Sequence, residues 1–178
     1  MPQLYLLNHN HSEPHAPSIK LIGIYSTLAA AQAAEIRSKG LPGFRRSPHG
    51  FQIHSLPVDV DFWPGGFEDG QPQEMCGVPQ HLTSKKSQTH APYPAHSVFA
   101  VWHEQPIDED HDLSRLIGLF STEKDALRYQ ASAQSRKGFS LNADHFILSE
   151  TPIDKDSWTE GFVTMLGDEE IFPDKPSK

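Results

Sequence analysis

Leu21-Ile22-Gly23-Ile24-Tyr25-Ser26-Thr27 returns later in the chain as Leu116-Ile117-Gly118-Leu119-Phe120-Ser121-Thr122, a shift of 95 positions. A longer stretch, Phe51 to Phe67 (FQIHSLPVDVDFWPGGF), returns at the same shift as Phe146 to Phe162 (FILSETPIDKDSWTEGF). Gly43-Phe44 falls on Gly138-Phe139, again 95 apart, so no net insertion separates the blocks. From Leu21 to Phe67, 15 of 47 positions are identical in the two copies. Average composition would give roughly 3 by chance. Leu4–His9 also matches Val98–His103 after a one-residue slip. The chain is a tandem duplication, and its fold is the fold of one repeat used twice.

Working outward from these blocks, each copy has the same order of elements. Leu4–Leu7 and Val98–Trp102 are apolar runs too short for helices, so they are expected as strands. A polar loop is expected after each. Ile19–Tyr25 and Leu116–Phe120 form the second strands. Ser-Thr then supplies a helix N-cap, and Thr122 with Asp125 has capping-box spacing. The expected helices are Leu28–Lys39 and Glu123–Arg136, with Gly40 and Gly138 where the chain leaves them. Phe51–Leu56 and Phe146–Thr151 are third strands, stopped by Pro57 and Pro152. The expected fold is α+β: two β-β-α-β modules, each a small antiparallel sheet with one helix, packed as a pseudo-twofold pair. Module one spans residues 1–67 and module two 98–162. A polar linker (68–97) and an acidic tail (163–178) complete the chain, with Ile171-Phe172-Pro173 able to dock.

The totals narrow the function classes. Residues 1–67 carry 5 basic and 4 acidic groups, residues 68–97 carry 2 and 3, and residues 98–178 carry 8 and 16. The whole net charge of −8 therefore resides in the second half. That argues against nucleic acid, which needs a basic face. It suits steering of a basic protein partner. One cysteine, Cys76, rules out an internal disulfide and fits a reducing compartment. No signal peptide or membrane span is read at Met1–Leu7 or elsewhere, so the expectation is a cytoplasmic chain with no membrane partner, monomeric or weakly dimeric.

Candidate sites follow from residue chemistry. His9, His11 and His15, with His103 and His111 in module two, could bind zinc as strand-borne pairs. No Cys or carboxylate stands at a known ligand spacing, so no metal is expected, and His9 and His103 are read as hydrogen-bonding strand-end residues. Asp59/Asp61 and Asp154/Asp156 could serve as acid and base or as magnesium ligands. Their presence in both copies, beside a turn and a Trp, favours caps and turn bonds. Trp63, Trp158, Phe67 and Phe162 are read as core closure. Asp108, Glu109, Asp110, His111 and Asp112 form an acidic run that module one lacks, and are the candidate partner-binding residues. Neither a catalytic motif nor a cofactor motif is present, so no catalytic or cofactor-binding residue is assigned and the chain is expected not to be an enzyme.

Together the residues read L-I-G-[IL]-[YF]-S-T, then G-F, then P-x-D-x-D-x-W-x-x-G-F. This pattern resembles an uncharacterised family of short bacterial proteins that are loosely associated with toxin and immunity loci. Pro42-Gly43-Phe44, Gly50-Phe51 and Trp63-x-x-Gly66-Phe67 carry the likeness in module one. Module two departs at Lys137-Gly138 but keeps Trp158-Thr159-Glu160-Gly161-Phe162. The resemblance implies an accessory or immunity protein encoded near a bacterial toxin, and it supplies no active site. Small size, lopsided charge and the absence of catalytic motifs add the expectation that the chain neutralises a cognate toxin by occluding its active site. The alternative is a small-molecule or metal sensor, or a minor hydrolase, with its ligand site between the repeats. A module that dimerises through an exposed strand edge is a third possibility.

Overall fold

A computed structural model describes residues 2–13, 16–67, 91–106, 112–166 and 169–171. The element order repeats: β1 (Gln3–Glu13), β2 (Ala16–Tyr25), α1 (Leu28–Lys39) and β3 (Phe51–Pro57), then β4 (Ser97–Pro106), β5 (Asp112–Phe120), α2 (Glu123–Ala133) and β6 (Phe146–Pro152). Each set of three strands forms an antiparallel sheet, in the orders β2-β1-β3 and β5-β4-β6. The architecture is α+β, with two small three-stranded sheets and two helices.

Period-two alternation along the central strands sorts side chains between two faces. Tyr5 and Leu7 of β1 pack with Ala31 and Ala34 of α1 and with Ile22, Tyr25 and Phe44. Leu4 and Leu6 point the other way. They join Ile24, Leu56, Val98, Ala100 and Leu119 in a cluster drawn from both modules. Leu4, Leu6 and Leu56 are fully buried, and each such side chain contributes about 1.5–3 kcal/mol on burial. A module of roughly 60 residues buries only about 60% of its unfolded surface alone. The shared cluster supplies what one module lacks.

A bulge falls at the same place in each sheet, between Leu7 and Asn8 and between Val101 and Trp102. The extra residues are Ile22 and Ile117. Thr27 and Thr122 cap the helices, their hydroxyls accepting from the N–H of Ala30 and Asp125. The Thr122 hydroxyl also donates to the Asp125 carboxylate.

Four sequence expectations change. The strands run well past Leu7 and Trp102, because His9, His11 and His103 are buried rather than looped out. Helix α2 ends at Ala133, not Arg136. Gly40 closes α1 at an ordinary φ of −83°, and the left-handed residue equivalent to Gly138 is Gly43. The tail contains a short antiparallel hairpin, β7 (Thr164–Leu166) with β8 (Glu169–Ile171), where an unstructured acidic segment was expected. Residues 68–90 of the linker lie outside the described residues, and so do Phe172 and Pro173. Tyr93, at the linker's end, is buried in the shared cluster.

Candidate functional site

The Asp-x-Asp-x-Trp-x-x-Gly-Phe segment leaves its own sheet and lies against the other module. Asp59 donates its backbone N–H to the Leu119 carbonyl at 2.8 Å, and Phe62 donates to Ile117 at 2.9 Å. In return, Asp154 donates to Ile24 at 2.8 Å and Ser157 to Ile22 at 2.7 Å. Each arm thus runs along the outer edge of the partner module's second strand, at and beside its bulge. Ile153 forms a parallel bridge with Ile24 there.

The carboxylates complete the clasp. Asp59 accepts from the backbone N–H of Ser121 at 2.8 Å and from its hydroxyl at 2.9 Å. Asp154 accepts from the N–H and hydroxyl of Ser26 at 2.9 and 2.7 Å. Ser26 and Ser121 immediately precede the helix N-caps, where a negative charge meets the positive end of the helix dipole. Both aspartates adopt a left-handed backbone, φ 61° and 60°. Asp is among the few residues that tolerate it. Caps were expected within each arm's own turn, but the helix end that each aspartate serves belongs to the other module.

Asp61 and Asp156 each hold an arginine of the other module. Arg136 Nη1 donates to Asp61 at 2.5 Å and to the Trp63 carbonyl at 3.0 Å. Asp61 also accepts from the Trp63 N–H at 2.9 Å, the local turn bond expected of it. Arg37 grips Asp156 with two bonds of 2.8 Å, and the Tyr25 hydroxyl donates to the same carboxylate at 2.9 Å. The Arg37 bonds hold the Asp156 carboxyl below its ordinary range. Burial, and then the bond to Asp156, push the Tyr25 phenol up. Arg37 and Arg136 do not occupy equivalent positions: Ser132 stands at the first in module two, and Leu41 at the second in module one. Sequence comparison of the copies therefore missed both. Ser26 and Ser121 did carry a signal, as identical residues in the repeated Ser-Thr.

The tryptophans part company. Trp63 is 3% exposed, and its indole N–H donates to the Leu116 carbonyl at 3.0 Å. Trp158 is 44% exposed with φ 59°, an uncommon backbone for a bulky residue. The core reading holds for Trp63 and fails for Trp158. Phe67 and Phe162 are both buried. The Arg115 guanidinium stacks 3.4 Å from the centre of the Phe67 ring. At the equivalent position, Lys20 Nζ lies 4.1 Å from Phe162 and 5.2 Å from Trp158.

His9 and His103 are fully buried core residues. Each donates from Nε2 to a backbone carbonyl, Ser47 at 2.8 Å and Asn142 at 3.1 Å, two more positions 95 apart. Phe44 and Phe51 pack edge-on around His9; Phe139 and Phe146 surround His103. Desolvation lowers both imidazole pKa values. His11 packs edge-on to Phe162. Among the described residues no group of three His, Cys, Asp or Glu could hold a metal ion.

The candidate partner-binding residues Asp108, Glu109, Asp110 and His111 lie outside the described residues, as do His15 and Cys76. Asp112 begins β5. Among the described residues no helix is long and apolar enough to cross a membrane. No family model matches the chain, and no curated protein or solved structure matches it either.

Proposed function

We propose that the chain is a non-enzymatic protein-binding module, built as a pseudo-twofold pair whose shared residues hold the halves together and whose differing surface meets a partner. One observation carries this reading. The polar groups that recur in both copies are bonded within the chain: Asp59 and Asp154 to serines, Asp61 and Asp156 to arginines, His9 and His103 to carbonyls. Among the described residues these recurring groups are engaged in holding the chain together, and the two copies differ in charge, +1 for residues 1–67 against −8 for residues 98–178. A net charge of −8 confined to residues 98–178 fits a basic surface on the partner. In the family the sequence resembles, that partner would be a bacterial toxin, and this chain its cytoplasmic immunity protein, covering the toxin's active site.

Binding to the product of an adjacent gene is the test. Sub-micromolar affinity that weakens with salt, and weakens further when Asp108–Asp112 are neutralised, is the expected result. No binding below micromolar concentrations would end the reading.

A small-molecule sensor with its site between the repeats is the second reading. Exposed Trp158, beside Lys20 at the junction, favours it. His103, Asp154 and Asp156, which such a site would use, are already engaged with Asn142, Ser26 and Arg37. Soaking with candidate ligands while following Trp158 fluorescence would separate the two.

A further inference from the structure

We infer that the arm-receiving face of each module is a docking site for the arm of a second copy of this chain, so that two chains can associate by exchanging modules. The inference concerns the interface between modules and is independent of what the outer surface binds.

The receiving face is the same in both modules. It consists of two second-strand carbonyls (Ile22 and Ile24; Ile117 and Leu119), the serine before the helix (Ser26; Ser121) and the carbonyl past the helix (Pro42; Lys137). Phe162 donates to Pro42 at 3.1 Å and Phe67 to Lys137 at 2.8 Å. The arriving arm is likewise the same: Asp, Asp, Gly and Phe in one register. Such an interface is self-complementary and does not distinguish a covalently linked partner from a free one.

The arginines extend the argument. Each receiving face brings its own, Arg37 on module one and Arg136 on module two, at positions that are not equivalent. Asp61 and Asp156 are equivalent. An arm one arriving on another chain's module one would therefore place Asp61 at Arg37 and Tyr25. An arm two arriving on another module two would place Asp156 at Arg136. Every pairing of modules, like or unlike, retains the serine clasp and an arginine.

Glycines give the means of testing this by complementation. Gly66 and Gly161 have φ of +84° and +78°, and a Cβ on either would run into the Lys137 or Pro42 carbonyl oxygen. Gly43 and Gly138 are left-handed too, and a Cβ there would meet Phe162 or Phe67. Gly43→Ala with Gly66→Ala disables both the arm and the face of module one. Gly138→Ala with Gly161→Ala does the same to module two. Within either full-length variant, both arm contacts join a damaged partner. Only across two chains can an intact module one meet an intact module two.

The two variants are unfolded together in urea, refolded at equal concentration, and compared with each refolded alone by light scattering and thermal melting. We expect a heterodimer of twice the 19.9 kDa chain mass, melting well above either variant alone. A homodimer formed by one variant alone would equally support the inference, as pairing of two like intact modules. A mixture that gives no dimer and melts as the sum of the separate variants overturns it, whether or not each variant folds alone.

Discussion

Trp63 and Trp158 occupy one position of the repeat in opposite surroundings. Truncating a buried aromatic costs about 3–5 kcal/mol, so Trp63→Ala should lower the urea midpoint sharply. Trp158→Ala should change stability by less than about 1 kcal/mol, the usual range for a surface change. Equal losses would contradict the contrast in burial. The repeat made Trp63 and Trp158 legible as important, but not as different. Their surroundings differ as well, with Arg115 on Phe67 and Lys20 on Phe162, but how deep each ring sits depends on packing between the modules, which a repeat pattern does not report.

His9 and His103 make a second prediction at this scale. Burial lowers both pKa values below the ordinary 6.5. The unfolded chain therefore binds protons that the folded chain refuses, and stability falls as pH drops below 6.5. The charged groups felt by His9 are His11 and Lys20; those felt by His103 are Arg115 and His145. All are basic and act in the same direction. Asp156, held below the ordinary 3.8, adds a further loss only in stronger acid. Urea titrations from pH 8 to pH 5 should show a falling midpoint, and His9→Gln should flatten the slope. A midpoint independent of pH above 5 would contradict it.

Among the elements, the arms differ in how firmly they hold. The side chains of Asp61 and Arg136 are 10% and 16% exposed. Losing one partner of such a partly buried pair should cost up to about 3 kcal/mol, the low end of the range for buried pairs. Arg37 is 56% exposed, and its pair with Asp156 should contribute about 0.2–1 kcal/mol, the range of surface pairs. Double-mutant cycles should rank the two couplings in that order. At the helix starts, Thr27→Ala should cost about 1 kcal/mol through the lost cap. Both helix starts and the six strands of the two three-stranded sheets were legible in the sequence, because caps and short apolar runs are local signals. The far ends of β1 and β4 were not. Polar residues there are buried by aromatic neighbours from distant positions, Phe44 and Phe51 or Phe139 and Phe146. The roles of Asp59 and Asp154 were half legible: their recurrence marked them as architectural, but nothing local could say that they reach the other module.

For the whole molecule, one apolar cluster draws on both modules and on Tyr93. Unfolding should therefore be a single transition, with far-ultraviolet dichroism and tryptophan fluorescence giving coincident midpoints. Two resolved transitions would mean that the modules stand independently.

Seen from outside, each arm is also a shield. Leu21–Tyr25 and Leu116–Phe120 are uncharged, rich in β-forming residues, and lie at sheet borders whose carbonyls the arms occupy. Stripped of that cover, such segments have the make-up of cross-β fibre cores. Weakening a clasp, as Asp154→Ala does, should therefore be recorded first as thioflavin-positive fibril growth on long incubation, before any loss of helical signal. On that expectation the duplication would guard itself against amyloid, each half sheathing the open border of the other.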